Sequence, residues 1–327
     1  MPLVKPHQHP SSSLSVIPCP SDKRREALLH LAAAHDSTLQ QMLSIALKGM
    51  VNAPDEQWQG LWVSYLGGQM NGAVWVQCLP GNMARLWLPR MQGVTIPGGI
   101  SHGANATGAS VHALLDAAYQ WVKTHNIRLC HLELAPQAHE TETLLLQHDM
   151  QPLVTLAYLT CNSTRRLALN SEIFVSLQPF SKLSDIEQLD LLGAVGRDSL
   201  DSCALRDILS VQELLAGFYQ QDAQAPEHWY AVSYQQALVG VLLLAARPAL
   251  DRWELLLMGL TPEWRGQGLG RALLNKALSL TQQAGIAEVM LAVDELNLPA
   301  RRIYQQAGFK TYAEQRLFAW KGGSEPG

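Results

Sequence analysis

The stretch "MGLTPEWRGQGLGRALLNKAL", Met258 to Leu278, sets Gly266, Gly268 and Gly270 two positions apart, between an apolar run and a second run with helical spacing. A loop of this form between a strand and a helix turns consecutive backbone N–H groups toward one point. The helix that follows adds its unpaired N–H groups and the positive end of its dipole, so the loop is a ready anion site. Glycine lets the backbone approach a ligand with no Cβ in the way. Arg265 and Arg271 flank the loop, where they can supply charge-assisted bonds to phosphate oxygens, and a diphosphate is the natural occupant. A P-loop would end in Gly-Lys-Ser/Thr, but Gly270 is followed by Arg271 and Ala272. A dinucleotide fingerprint would need its third glycine where Arg271 stands, although Asp294 lies about where the ribose-binding acid is expected. Against that reading, the preceding strand is the fourth of its half, and "TPEW" separates it from the glycines.

The rest of the chain sets the frame. Its 327 residues exceed what one hydrophobic core usually organises, so two domains are expected. Hydrophobic residues at 47% and charged ones at 16% are those of an ordinary globular protein. The net charge of −4, with scattered Lys and Arg, offers no basic stripe and argues against a nucleic-acid partner. Cys19, Cys78, Cys130, Cys161 and Cys203 form no CxxC pair, which points to a reducing compartment and away from a zinc or disulfide framework. No stretch has the length of a signal peptide or membrane span. The expectation is a cytoplasmic protein with no membrane partner and no metal, its residues 1–13 a flexible tail.

Hydrophobic periodicity divides the chain into two blocks with one order of elements. In the second, "EIFVSLQPF" reads as a strand, "SDIEQLDLLGAV" and "SVQELLAGFYQ" as helices, and "HWYAVSYQ", "LVGVLLLAA" and "RWELLLMGL" as three strands. The glycine loop and its helix follow, then a strand "AEVMLAVD", a helix "LPARRIYQQAG" and a last strand "FKTYAEQRLFAW". The first block repeats the plan from "LSVIPCP" to "LVTLAYLTC". Aligning Trp62, Ser64 and Tyr65 with Tyr230, Ser233 and Tyr234 gives an offset of about 168 residues, the size of one domain. The reading is a duplicated α/β domain with a mixed sheet, residues 14–165 and 172–322, divided by the polar stretch Asn162 to Ser171.

"LLLMGLTPEWRGQGLGRALL" resembles the acyl-CoA-binding motif of the GCN5-related N-acetyltransferases (GNAT), [RQ]xxGx[GA], here Arg265, Gly268 and Gly270. "VDELNLPARRIYQQAGF" resembles the same family's second signature through Asn297, Ala300, Tyr304, Gly308 and Phe309. The resemblance implies two tandem GNAT-like domains and acetyl-CoA as co-substrate. It implies that the fourth strand, through Met258, Gly259 and Leu260, pairs with the pantetheine arm. It further implies that the loop from Arg265 through Gly266, Gln267, Gly268, Leu269 and Gly270 to Arg271 holds the pyrophosphate, and that the fourth and fifth strands splay around the thioester. An amine then attacks the acetyl carbon directly, and because an ammonium cannot attack, a base must first take its proton.

By the same resemblance Tyr304 reaches the sulfur as acid or hydrogen-bond donor; a buried core aromatic is the alternative. Asn297 contacts the arm or caps the next helix, where asparagine is favoured in any case. Glu254 matches a general-base position, and strand alternation sets it on the side of Leu256 and Met258. A solvent-facing carboxylate at a strand end is the other reading.

The first block lacks these signatures. Its counterpart of the loop, "MQGVTIPGGISHGANATGASVHALL", keeps Gly98, Gly99, Gly103 and Gly108 without the motif. It reads as a degenerate copy that packs against its partner and walls the acceptor cleft, or as one that keeps CoA binding through another loop conformation, with catalysis in the second. His102 and His112 show no metal spacing and read as structural. The resemblance implies that the acceptor, a small-molecule or peptide amine, lies against the segment between the first two helices and the closing hairpin, here "GRDSLDSCALRD" and "YAEQRLFAW". Asp198, Asp201 and Asp207 there suit a cationic amine or simply serve turns and caps, and Cys203 reads as a small buried residue. A non-catalytic acyl-CoA-binding module is the rival function, and the sequence leaves the oligomeric state open.

Overall fold

The computed structural model describes residues 13–50, 53–79, 81–90, 108–164, 172–201, 208–221, 225–247 and 250–322. In the first half, β1 (Leu14–Pro18), α1 (Arg24–Ala32), α2 (Ser37–Gly49), β2 (Leu61–Leu66), β3 (Gln69–Leu79) and β4 (Met83–Trp87) precede α3 (Gly108–Thr124), β5 (Leu129–Leu134), α4 (His139–Gln147) and β6 (Gln151–Asn162). The second half follows the same order. It runs β7 (Ser176–Pro179), α5 (Asp185–Gly196), α6 (Val211–Gln221), β8 (Trp229–Tyr234), β9 (Ala237–Arg247), β10 (Arg252–Leu260), α7 (Leu269–Gln283), β11 (Glu288–Asp294), α8 (Leu298–Gln306) and β12 (Lys310–Lys321).

The duplication is visible in the register. Strands β2 and β3 recur as β8 and β9 with every boundary 168 positions later, from Leu61 to Trp229 onward. Each pair slips at the same place, between Ser64 and Tyr65 in the first and between Val232 and Ser233 in the second. Tyr65 therefore corresponds to Ser233 rather than Tyr234. Of the polar stretch between the halves, 165–171 lie outside the described residues, as do 1–12 of the expected tail.

By contacts the chain forms two compact units. The first gathers the residues up to Leu132, Glu140–Gln151 and the chain from Ala319, whereas the second holds Glu133–His139 and Pro152–Phe318. Strand β6 closes the first half in chain order, yet it pairs antiparallel with β11 along seven positions, from Glu288↔Asn162 to Asp294↔Leu156.

In the first unit the sheet order is β1-β2-β3-β4-β5, antiparallel except for the parallel pair β4–β5. Its core is aromatic: Trp75 stacks between Trp58 and Trp87, and His35 meets the Trp87 ring edge-on at 5.6 Å. Burial pushes the His35 imidazole down to about 4, and the partly buried His131, opposite Arg85 in the β4–β5 register, is likewise pushed to about 4 by desolvation and by that guanidinium. His112 on α3 is exposed and lies 2.8 Å from the His148 ring, which in turn meets Asp116 at 2.9 Å.

In the second unit the order is β12-β6-β11-β10-β9-β8-β7. The sheet is covered on both faces, because alternate residues of one strand serve opposite cores. Leu242 and Leu244 of β9 pack with α7, Tyr304 and Phe309, whereas Val241 and Leu243 pack with Phe180, α5 and Trp229. Helix starts follow the local chemistry. Ser184 and Glu187 form a reciprocal capping box on α5, and Asn297 Oδ1 accepts the Ala300 N–H at 3.3 Å on α8. Helix α7 alone of these three starts without a side-chain cap. No helix among the described residues is long and apolar enough to cross a membrane.

Candidate active site

Strands β10 and β11 run parallel and in register from Arg252↔Glu288 to Leu255↔Leu291, and there the pairing stops. At the same point β10 slips against β9, between Leu255 and Leu257. The extra residue turns two consecutive side chains, Leu256 and Leu257, to the α5 face, while Met258 and Leu260 pack on the α7 face. Such a bulge bends its strand and increases its twist, which carries β10 away from β11. A cavity of about 610 Å³ opens in the gap, a size suited to a ligand. Its walls include the turn after α5, β10 from Leu255 to Leu260, the start of α7, the end of β11, Asn297, and Ile303 and Tyr304 of α8.

The glycine loop closes one end. Gly266 and Gly268 have φ of +73° and +88°, the left-handed region that an L side chain rarely adopts. Gly268 stands at the N-cap of α7 with no side chain bonding the helix start. Among the described residues, the N–H groups of Gly266, Gln267, Gly268, Leu269 and Gly270 make no backbone hydrogen bond, and the first in line to do so is Arg271, to Gly268 O at 3.1 Å. These donors and the helix dipole converge where an anion is stabilised. Arg271 is exposed beside them. Gln267 Nε2 donates to Glu263 O at 2.7 Å, which steadies the loop.

Arg265 does something other than the phosphate contact expected of it. Its Nε donates to Leu260 O at 3.0 Å, Nη1 to Asp198 O at 3.0 Å, and Nη2 to Val195 O at 2.8 Å and Arg197 O at 2.7 Å. Four of about five N–H donors are thus spent on carbonyls at the end of α5 and of β10. The guanidinium fastens the helix terminus, where carbonyls are unpaired and a cation is favoured, to the edge of the cavity. Gly259 permits the same approach: a Cβ there would sit 2.2 Å from Val195 Cγ1. Arg265→Ala is expected to destabilise the second unit by about 2–3 kcal/mol, with Arg265→Lys recovering little of it, because one ammonium cannot reach carbonyls in several directions. Unfolding in urea measures this. A variant of unchanged stability that binds acyl-CoA tenfold more weakly would instead make Arg265 a phosphate ligand.

Glu254 is placed away from the cavity lining. Its Oε2 accepts from Arg247 Nε at 2.9 Å and Nη2 at 2.8 Å. The sequence set Glu254 on one side with both Leu256 and Met258; the bulge breaks that alternation, since Met258 packs on the α7 face and Leu256 on the other. Tyr304 does line the cavity and is 6% exposed, its ring 5.6 Å from that of Phe309. Burial, and then the negative charge of Asp201, push its phenol well above the usual range, so it is held as O–H, a donor, at neutral pH. Asn297 also lines the cavity while capping α8, so both of its sequence readings place it at the same spot.

Asp294, the acid required by a dinucleotide reading, is buried and accepts the Leu296 N–H at 2.9 Å as a turn residue. On the acceptor side, Asp198 is exposed in a turn with φ of +50°, and "YAEQRLFAW" lies in β12. Cys203 and Asp207 lie outside the described residues, as do His102, Gly98, Gly99 and Gly103; Gly108 opens α3. Asp201 emerges as the residue sequence reasoning underrated. Its Oδ1 accepts the Asp294 N–H at 3.0 Å, and the only signal for it in the sequence was an acidic turn.

Comparison with known proteins agrees with this geometry. The sequence profile described as Acetyltransferase (GNAT) family matches residues 199–309, from the turn after α5 to the end of the second signature. That segment belongs to the GNAT family. The solved GCN5-related N-acetyltransferase of Sphaerobacter thermophilus superposes with a TM-score of 0.60 at 15% identity, covering 94% of this chain and 95% of that one. A tandem GNAT protein from the clavulanic acid biosynthesis pathway gives 0.54 at 14% identity, covering 96% and 100%. At those identities the likeness concerns the fold, and it extends over both halves. Among curated sequences, mycothiol acetyltransferase of Thermobifida fusca (strain YX) is 35% identical over 65 residues, 20% of each chain. The chain thus matches about a fifth of the length of such relatives. Among the described residues no cluster of three or more His, Cys, Asp or Glu is arranged to hold a metal ion.

Proposed function

We propose that this GNAT protein is an N-acetyltransferase that moves an acetyl group from acetyl-CoA directly to an amine, with the reaction in the second of two tandem GNAT-like domains, 14–165 and 172–322. The observation that carries this reading is the parting of β10 from β11 at Leu255↔Leu291, with free loop amides at one end of the gap and Tyr304 in its wall. The residues fit an acyl-CoA. The amides of 266–270 and Arg271 suit its diphosphate, and the edge of β10 that loses its β11 partner beyond Leu255, running through Met258, Gly259 and Leu260, suits its amide-bearing arm.

When bound, acetyl-CoA supplies the activated acyl carbon and a thiolate leaving group. The chain's own residues hold it, exclude water by the apolar walls of the gap, and offer the Tyr304 hydroxyl as a proton donor. Asn297 fixes the start of α8 and with it the position of Tyr304, two turns on. The first unit serves as a degenerate partner, and a cytoplasmic setting suits the co-substrate.

Isothermal calorimetry with acetyl-CoA, followed by thiol release with a panel of amines, tests the proposal. Binding with thiol release is the expected result. Binding without release from any amine would favour a non-catalytic acyl-CoA module, and absence of binding would overturn the reading.

A further inference from the structure

Asp201 stands in the cavity wall where three elements meet. It follows the turn after α5, its Oδ1 accepts the backbone N–H of Asp294 at the end of β11, and the side chain of Asn297 at the start of α8 hydrogen-bonds the same carboxylate. Tyr304 lines the same cavity and feels its charge. A carboxylate has about four acceptor sites, so the two hydrogen bonds orient the group and leave capacity for a ligand. Glu254, the carboxylate that strand position suggests as base, is engaged by Arg247 outside the cavity.

We propose that Asp201 receives the ammonium group of the acceptor and takes its proton. The inference rests on the N-acetyltransferase reading and adds that the acceptor enters as a cation, a primary amine protonated in solution. One N–H proton passes to the Asp201 carboxylate and from there to solvent through the cavity mouth. The freed nitrogen lone pair forms the C–N bond to the acyl carbon, and the C–S bond breaks with its electron pair going to sulfur. The second proton lost from nitrogen ends on sulfur by way of the Tyr304 hydroxyl, which gives one proton and regains one.

The groups around Asp201 bear on its titration. Burial raises it first; the Asp294 N–H opposes, the Asp294 charge on β11 adds to the rise, and the Asn297 bond opposes again. Tyr304 on α8 is neutral, and Arg265 and Asp198 stand at the end of α5. The balance raises Asp201 above the ordinary aspartate value, with burial the largest cause, and a raised carboxylate is a stronger base.

Asp201→Asn keeps an oxygen for the Asp294 N–H and removes the charge, so it separates the chemistry from the loop's anchorage. In protein labelled with aspartate carrying carbon-13 at the carboxyl, loaded with CoA, the Asp201 signal is assigned by its absence in the variant. Addition of n-propylammonium chloride is expected to lower its titration midpoint by roughly one unit, as a cation beside a carboxylate does. Thiol release from acetyl-CoA with n-propylamine is expected to fall about a hundred-fold or more in Asp201→Asn at pH 7 and to lose its acid limb. Acetyl-CoA affinity should change far less than the rate, because Asp201 is not one of the loop residues 265–271 proposed to hold the diphosphate. An Asp201 signal that ignores propylammonium, or a variant with the parent's rate and acid limb, overturns the inference. Failure of the parent protein to bind acetyl-CoA would instead overturn the N-acetyltransferase reading itself.

Discussion

Gly268→Asp is expected to weaken acetyl-CoA binding at least about a hundred-fold, a change of about 2.7 kcal/mol. Two effects act in one direction. The residue has φ of +88°, and a Cβ there would lie 3.2 Å from Ile173 Cδ1, so the side chain crowds the loop at the head of α7. Its carboxylate also stands where the free amides of 266–270 and the helix dipole would otherwise meet a diphosphate, and like charges a few ångströms apart near a surface cost on the order of a few kcal/mol. The fold itself should suffer less: aspartate is among the residues that tolerate the left-handed region, and Ile173 Cδ1 is the tip of a side chain that can turn aside. Calorimetry beside a thermal melt distinguishes the two outcomes. Intact binding in a folded Gly268→Asp protein would show that the loop is not the diphosphate site.

The second large effect is acid sensitivity of the first unit. His35 and His131 are held neutral with values of about 4, against 6.5 for the ordinary imidazole. Between pH 6.5 and pH 4 the unfolded chain therefore binds protons that the folded chain refuses. Stability is unaffected above this window and falls as pH drops through it, by about 2–3 kcal/mol for each histidine at pH 4.5. Neither has an easy escape, since His35 Nε2 and His131 Nδ1 are buried with no hydrogen-bond partner among the described residues. Urea unfolding between pH 8 and pH 4.5 should show a falling midpoint, and His35→Gln or His131→Gln should each remove about half of the slope. A flat profile in the parent protein would contradict the burial argument.

Much of the fold is legible in the sequence because each element carries its own signal. Apolar residues three and four apart mark α7, short apolar runs mark β8 to β11, and Ser184, Asn297 and the glycine loop mark helix starts. Family signatures led directly to the loop, Asn297 and Tyr304. Misplaced expectations share a cause in chain geometry. Strand alternation from Glu254 presumes a regular ladder, whereas the slip at Leu255/Leu257 reverses the faces beyond it. Arg265 looks like a phosphate ligand from its neighbours in sequence, but its partners lie 67 to 70 residues away at the end of α5, apart from Leu260 five residues off.

The sequence by itself determined the element order, the duplication at an offset of about 168 and the glycine loop at the start of a helix, since these rest on short-range periodicity, backbone freedom and helix ends. Only the tertiary structure decided that Arg265 braces a helix, that Glu254 is engaged by Arg247, that Asp201 stands beside Tyr304 and that β6 joins the second unit's sheet. Each of these depends on which distant segments desolvate and pair with one another, and that is set by the packing of the whole sheet and its two helical faces rather than by any local pattern.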